Sequence, residues 1–288
     1  MSAVAGVDLR EAWDDLLRRR PTLAETLAPY TPIVEAWGQE ARVTPLAWSA
    51  GQCAALWERG VPLLAEATIA LDAAEMETWL APAMDAVATL RPHEAPALQR
   101  FAEAWDAGHL RPASLFPAQG RVGVVSGEIG LDAGVVAFLA AAALRPPLER
   151  AFSACREHPR DGVWELGVCP FCGGPPVFGD LIEDGRRRLA CAVCGGDWIF
   201  ARMRCPFCGE TETKNLVRLE AGDAKEQGYI VSACRRCQGY LKELDRRVRW
   251  NGGPAAVEDW GSPHLDLVAT RAGYWRPAPT LIQLASPS

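Results

Sequence analysis

Four Cys-x-x-Cys pairs, Cys169/Cys172, Cys191/Cys194, Cys205/Cys208 and Cys234/Cys237, hold eight of the ten cysteines in this 288-residue chain. Two thiols separated by two residues can take two corners of a metal tetrahedron, and a second pair completes a four-cysteine site. Four pairs therefore predict two sites. The 18 residues between Cys172 and Cys191 and the 25 between Cys208 and Cys234 are each long enough for a hairpin that returns to the ion. Sequential pairing, the first four thiols on one ion and the last four on the other, is the expectation. An interleaved set, with Cys169 and Cys172 meeting Cys205 and Cys208, satisfies the same spacing. A tetrahedron of sulfur suits iron and zinc alike.

The residues flanking the thiols fit this reading. Gly173, Gly195 and Gly209 each follow the second cysteine of a pair, where the chain has to turn through a left-handed conformation that glycine adopts most easily. Pro170 and Pro206 fix φ inside the turn. The fourth pair lacks the proline and places Gln238 before Gly239. Structural disulfides are the rival reading, but the opening residues do not resemble a secretory leader, and a cytoplasmic protein is expected. A thioredoxin-type dithiol would need one such pair in a βαβ setting, not four.

Elements must position these thiols, and the chain changes texture on the way to them. Residues 1–160 are expected to form a helical domain. Leu9, Ala12, Trp13, Leu16 and Leu17 make an amphipathic stripe behind Asp8, and Thr22 to Glu25 has capping-box spacing. Further helical runs are expected near 31–41, 50–58, 60–70, 73–90, 94–106 and 131–157. The apolar stretch Ala133–Leu144 is too short for a membrane span and reads as a core helix. Cys53 and Cys155 are expected as packing residues, Trp37, Trp48, Trp57, Trp79 and Trp105 as core anchors, and His93, His109, His158 and His264 as surface or capping groups.

The expected boundary lies at the turn-forming cluster 158–163. Beyond it, 161–204 and 205–250 are predicted as a first and a second rubredoxin-like or zinc-ribbon metal module, each with four cysteines and built as a knuckle, a hairpin and a second knuckle. Strands are expected at Trp198–Phe200, Leu216–Leu219 and Tyr229–Val231. A helical tail, 251–288, carries a helix at His264–Arg271 with Ser262 as cap and Pro263 in its first turn. The fold class is thus α+β.

Charge argues against a generic nucleic-acid protein. The net formal charge is −6, and residues 1–160 carry fourteen basic against twenty acidic groups. Arginines 186–188, 202, 204, 235, 236, 246, 247 and 249 crowd the metal half. They can neutralise thiolates and strand-face carboxylates, or form a docking surface for an acidic or phosphate-bearing partner. No nucleophile with a base, paired carboxylates or phosphate-cradling glycine loop is evident, and a saturated tetrathiolate site has no open position for catalysis. A zinc-ribbon nucleic-acid binder and an iron redox carrier are the alternatives to a protein-docking role.

Cys169-Pro-Phe-Cys-Gly173, the following Cys-x-x-Cys pairs with Trp198 and Arg204 between them, the run Gly239-Tyr-Leu-Lys242, Leu265-Asp-Leu-Val-Ala269 and Gly273-Tyr274 together resemble the formate dehydrogenase accessory protein FdhE family over about residues 165–276. Asp259-Trp-Gly-Ser262 departs from the more aliphatic entry expected before the closing helix. The resemblance implies a cytoplasmic, non-enzymatic assembly factor that contacts the catalytic subunit of formate dehydrogenase. It implies iron in two rubredoxin-like sites, with Cys169, Cys172, Cys191, Cys194, Cys205, Cys208, Cys234 and Cys237 as ligands. No membrane partner is expected, and a homodimer is left open.

Overall fold

Asp8 starts the first helix, α1 (Leu9–Arg19), by accepting the backbone N–H of Arg10 at 2.8 Å, and the predicted stripe turns inward with Trp13 and Leu16 fully buried. The computed structural model describes residues 8–117, 121–158, 162–220 and 226–281. Part of the expected domain boundary (159–161) and of the second hairpin tip (221–225) lies outside them. After α1 come a short helix α2 (Ala24–Leu27), then α3 (Thr31–Trp37), α4 (Ala50–Glu58), α5 (Ala73–Leu90), α6 (Ala95–Asp106), α7 (Val122–Ile129), α8 (Ala133–Ala151) and α9 (Ser153–Arg156).

Several expectations shift. Thr22 and Glu25 form no capping box, because the chain from Pro21 to Tyr30 is broken into 3-10 turns around α2. The capping box sits instead at Ser49 and Gln52, ahead of α4. The run expected at 60–70 is a single 3-10 turn, Leu63–Ala65, in which Leu63 and Leu64 donate N–H bonds to the carbonyls of Pro170 and Phe171 in the first knuckle. Those backbone groups serve the cysteine region and not a helix.

The core helix α8 crosses Pro146 and Pro147 without ending. A proline removes the N–H that would bond the carbonyl four residues back and so frees the Ala142 oxygen. That oxygen accepts the indole N–H of Trp37 at 2.8 Å. Trp37 also stacks on Trp260 at 5.0 Å between ring centres. No described helix is long and apolar enough to cross a membrane.

The carboxyl-terminal strands are β1 (Pro176–Leu181), β2 (Arg187–Cys191), β3 (Asp197–Phe200), β4 (Leu216–Glu220), β5 (Tyr229–Cys234) and β6 (Tyr240–Asp245), followed by α10 (Ala255–Trp260) and α11 (Pro263–Arg271). They form one sheet in the order β3-β2-β1-β6-β5-β4. The β1–β2–β3 and β4–β5–β6 meanders are antiparallel. They join through the parallel pair β1–β6, Phe178 opposite Lys242 and Asp180 opposite Leu244. The tandem four-cysteine pattern is present, but its two hairpins share a continuous sheet. Pro263 opens α11 as expected, whereas the Ser262 hydroxyl donates to the Glu258 carbonyl and does not cap. His264 is neither a cap nor free in solvent: its ring stands edge-on to Tyr229, with Nε2 3.3 Å from Glu226.

Trp37→Phe keeps the ring but removes the donor to Ala142. It should destabilise the fold by about 1–3 kcal/mol, read as a fall of several degrees in thermal midpoint. An unchanged midpoint would mean that the proline-freed carbonyl does not need this bond.

Candidate metal centres

Each Cys-x-x-Cys pair folds into the same knuckle. The N–H of its first cysteine donates to the carbonyl five residues on: Cys169 to Gly174, Cys191 to Gly196 and Cys205 to Glu210 at 2.8 Å, and Cys234 to Gly239 at 2.9 Å. The residue before that acceptor has positive φ in all four, +76° at Gly173, +66° at Gly195, +75° at Gly209 and +56° at Gln238. The fourth knuckle therefore keeps the shape of the others with a non-glycine residue in the strained position. The turn aims backbone N–H groups at sulfur. Phe171 and Gly174 point at Cys169 and Cys172 at 3.4 and 3.3 Å, and Val193 points at Cys191 at 3.3 Å. In the second set, the backbone N–H groups of Phe207 and Cys208 favour the thiolate of Cys205, and those of Arg236 and Cys237 favour that of Cys234.

Hairpins β1–β2 and β4–β5 return the chain so that the knuckles meet in sequence. Cys169, Cys172, Cys191 and Cys194 form one set and Cys205, Cys208, Cys234 and Cys237 the other, with the sulfurs of each set within 4.8 Å of one another. The interleaved pairing is not what the fold adopts. Sulfur separations are 3.6 Å (Cys169–Cys194), 3.4 Å (Cys172–Cys191) and 3.7 Å (Cys205–Cys237 and Cys208–Cys234). A tetrahedron with metal–sulfur bonds of about 2.3 Å has edges of about 3.8 Å. Each set therefore has the donor type, number and spacing to hold one tetrahedral cation, whether zinc or iron.

The two sets differ in depth. All four cysteines of the first are buried, in one apolar cluster with Phe171, Leu189, Trp198 and the helical core. In the second, Cys208 and Cys237 are half-buried. Burial pushes the Cys169 and Cys172 thiols well up. It would do the same to Cys194, but hydrogen bonds from the other three thiols and the charge of Arg156 hold that thiol well below its usual range. In the second set, burial raises Cys205 and pushes Cys237 up to about 11.

The remaining cysteines behave as packing residues: Cys53 and Cys155 are fully buried in the helical core, and burial raises both thiols. His93 and His109 are exposed, and His158 bonds the Trp48 carbonyl at 2.7 Å. Trp79 and Trp105 are buried anchors, while Trp37, Trp48 and Trp57 are half-buried. The arginine cluster is largely engaged within the chain. Arg186 pairs with Asp184, Arg187 with Glu243, Arg188 and Arg246 with Asp180, Arg204 with Glu165, Arg236 with Glu210 and Arg247 with Asp245.

A buried charge network went unpredicted. The Lys242 ammonium, fully buried on β6, lies 2.8 Å from Asp266 and 3.1 Å from Asp259, and Arg276 pairs with both carboxylates. Tyr240 donates to Asp266 at 2.6 Å. Burial opposes ionisation of Asp266, yet Lys242 and then Arg276 hold its carboxyl below the usual range. The network locks α10, α11 and the segment after them onto β6. It accounts for Asp259, the residue that departed from an aliphatic entry. The signal was present in Tyr240-Leu-Lys242 and Leu265-Asp266, whose chemistry becomes apparent only when they meet.

A helical amino-terminal region carrying a six-stranded sheet of two meanders, with four cysteine knuckles gathered as two sets of four thiols, defines the class of protein. No family model matches the chain. The FdhE homolog of Stutzerimonas stutzeri is 33% identical over 119 residues, 40% of this chain and 38% of that protein. Those of Pseudomonas aeruginosa and Aquifex aeolicus are each 31% identical, over 159 residues (49% and 50%) and 153 residues (51% and 52%). The chain thus spans about half, or less, of the curated relatives it matches. The crystal structure of the FdhE protein from Pseudomonas aeruginosa superimposes with a TM-score of 0.60 at 23% identity, covering 96% of this chain and 94% of that one, which shows a common fold. The resemblance to the FdhE family read from the cysteine motifs stands in both sequence and fold.

Gln238→Gly should stabilise the protein by about 1 kcal/mol by relieving a left-handed non-glycine residue, and urea unfolding of the zinc-loaded chain measures it. A cation at the second set must displace the proton of Cys237, whose thiol at about 11 is protonated at neutral pH. Zinc addition should therefore release protons, and zinc affinity should fall as pH drops from 8 to 6. Dye-monitored titration in weak buffer checks both, and pH-independent uptake would contradict them.

Proposed function

We propose that the eight cysteines ligate two metal ions, iron or alternatively zinc, and that the protein is a cytoplasmic accessory factor for the maturation or activation of formate dehydrogenase, binding its catalytic subunit. The observation that carries this reading is the pair of four-cysteine sets on a fold shared with an FdhE protein. A cation with four thiolate ligands has no vacant position for substrate. Such centres shape a surface, and that suits a protein that grips another protein. This supports an accessory role over an enzymatic one.

The second set supplies the surface for that contact. It borders a cavity of about 220 Å³ with a floor of Leu181, Leu216 and Ile230. Met203 on its rim and Trp275, whose indole N–H bonds the Cys237 carbonyl, are each about half exposed, at 53% and 52%. Arg202 and Arg235 are exposed nearby. Exposed apolar side chains beside cations that form no ion pair among the described residues fit a protein partner better than nucleic acid, because most arginines that would meet phosphates are already held by carboxylates. Half-burial of Cys208 and Cys237 also supports a second reading, electron exchange with the bound subunit if the ion is iron.

A strain lacking this protein, complemented with the Cys205→Ser/Cys208→Ser variant, should have little formate dehydrogenase activity. The variant should also fail to capture the catalytic subunit. Met203→Asp should retain its metal but lose capture. Full activity and capture by the double cysteine variant would overturn the proposal.

A further inference from the structure

Arg145, on the core helix α8, is 8% exposed and makes no hydrogen bond or ion pair with any described residue. Its guanidinium lies over the Trp37 ring at 4.7 Å and so close to the second knuckle that a Cβ on Gly195 would come within 2.8 Å of Nη2. Arg156, on α9, reaches the same knuckle. Its Nη2 donates to the Cys194 carbonyl, its Nε has no partner, and Glu149 stands 3.4 Å from Nη1. Arg145 and Arg156 line a cleft of about 710 Å³ between the helices and the first cysteine set. Of the cleft's carboxylates, Asp180 is taken by Arg188 and Arg246, and none pairs with Arg145.

A buried guanidinium without an anion is unfavourable, and Arg145 is one, while Arg156 beside it meets Glu149 through Nη1 but leaves its Nε without a partner. Four thiolates around a dication carry a net charge of −2. That charge is opposite in sign and equal in size to that of the two guanidinium groups. We propose that Arg145 and Arg156 are counter-ions supplied by the helical part to the first cysteine set, so that a divalent cation there fastens the helices to the sheet. This rests on the reading that the set binds metal. The second set has no equivalent: among the described residues no buried, unpartnered guanidinium borders it. Occupancy of the first set is thereby coupled to the interface between helices and sheet, and occupancy of the second is not.

The test uses the full chain and zinc ion in competition with a chelator. The Cys205→Ser/Cys208→Ser background isolates the first set, and Cys169→Ser/Cys172→Ser isolates the second. Arg145→Met, which keeps apolar bulk but no charge, should weaken zinc at the first set by about tenfold or more and leave the second unchanged. Arg145→Lys should stay within about threefold of the parent. Stripping zinc from the first set should also expose α8 and α9 amides to hydrogen exchange, whereas stripping the second should not, a result that holds even if Arg145→Met folds poorly. Equal affinities in the parent and Arg145→Met overturn the counter-ion role alone. So does a lysine variant as weak as the methionine one, which would assign the effect to packing. A parent chain that takes up no zinc at the first set overturns the metal reading as well.

Discussion

Four thiol sulfurs held within 4.8 Å of one another cannot all ionise unless positive charge is placed among them. Nearly everything in the carboxyl-terminal half is arranged around that constraint. The knuckles bend so that backbone N–H groups face sulfur, and each repeats one closing hydrogen bond from a first cysteine to the carbonyl five residues on. The hairpins between knuckles set where two pairs meet. Such hairpins bury too little by themselves to be stable, and here they lean on each other through the parallel β1–β6 pairing.

The joint between the hairpins is held by charge as much as by apolar packing. β1 and β6 are buried along their whole length, yet they carry Asp180, Lys242, Glu243 and Asp245. Each charge has a partner of opposite sign: Arg188 and Arg246 for Asp180, Asp259 and Asp266 for Lys242, Arg187 for Glu243 and Arg247 for Asp245. Removing one member of such a pair leaves an uncompensated buried charge, which costs far more than the intact pair contributes. The partners come from α10, α11, strand β2 and the turn that follows β6. The network thus fixes how the closing segment sits on the sheet.

Depth divides the two cysteine sets. The first belongs to the same apolar cluster as α3, α5 and α8, and the 3-10 turn at Leu63 bonds directly to its first knuckle. The second lies where the chain is more open, beside Trp275 and the arginine-rimmed cavity. One chemical motif, repeated along the chain, stands in a dry interior at one end and a partly wet surface at the other. A dry setting favours permanence, and a wet one favours contact with another molecule.

Local features were legible in the residues alone: four knuckles, the left-handed glycines that close three of them, the long apolar helix at Ala133 and the stripe of α1. These follow from spacing and from the conformational limits of single residues, which act without reference to distant parts of the chain. Tertiary structure alone decided the rest. Strands β1 and β6 show no alternation because both faces are buried, and charges such as Lys242 and Glu243 find their partners, Asp266 and Arg187, in other elements. The helix expected over 131–157 runs through Pro146 and Pro147, but the partner of the carbonyl they free, Trp37, lies more than a hundred residues earlier and appears only in the fold. The two cysteine sets look alike in spacing and become different only through what packs over them. A buried charge or an orphaned carbonyl is tolerated only when its partner arrives, and where partners meet is a property of the fold.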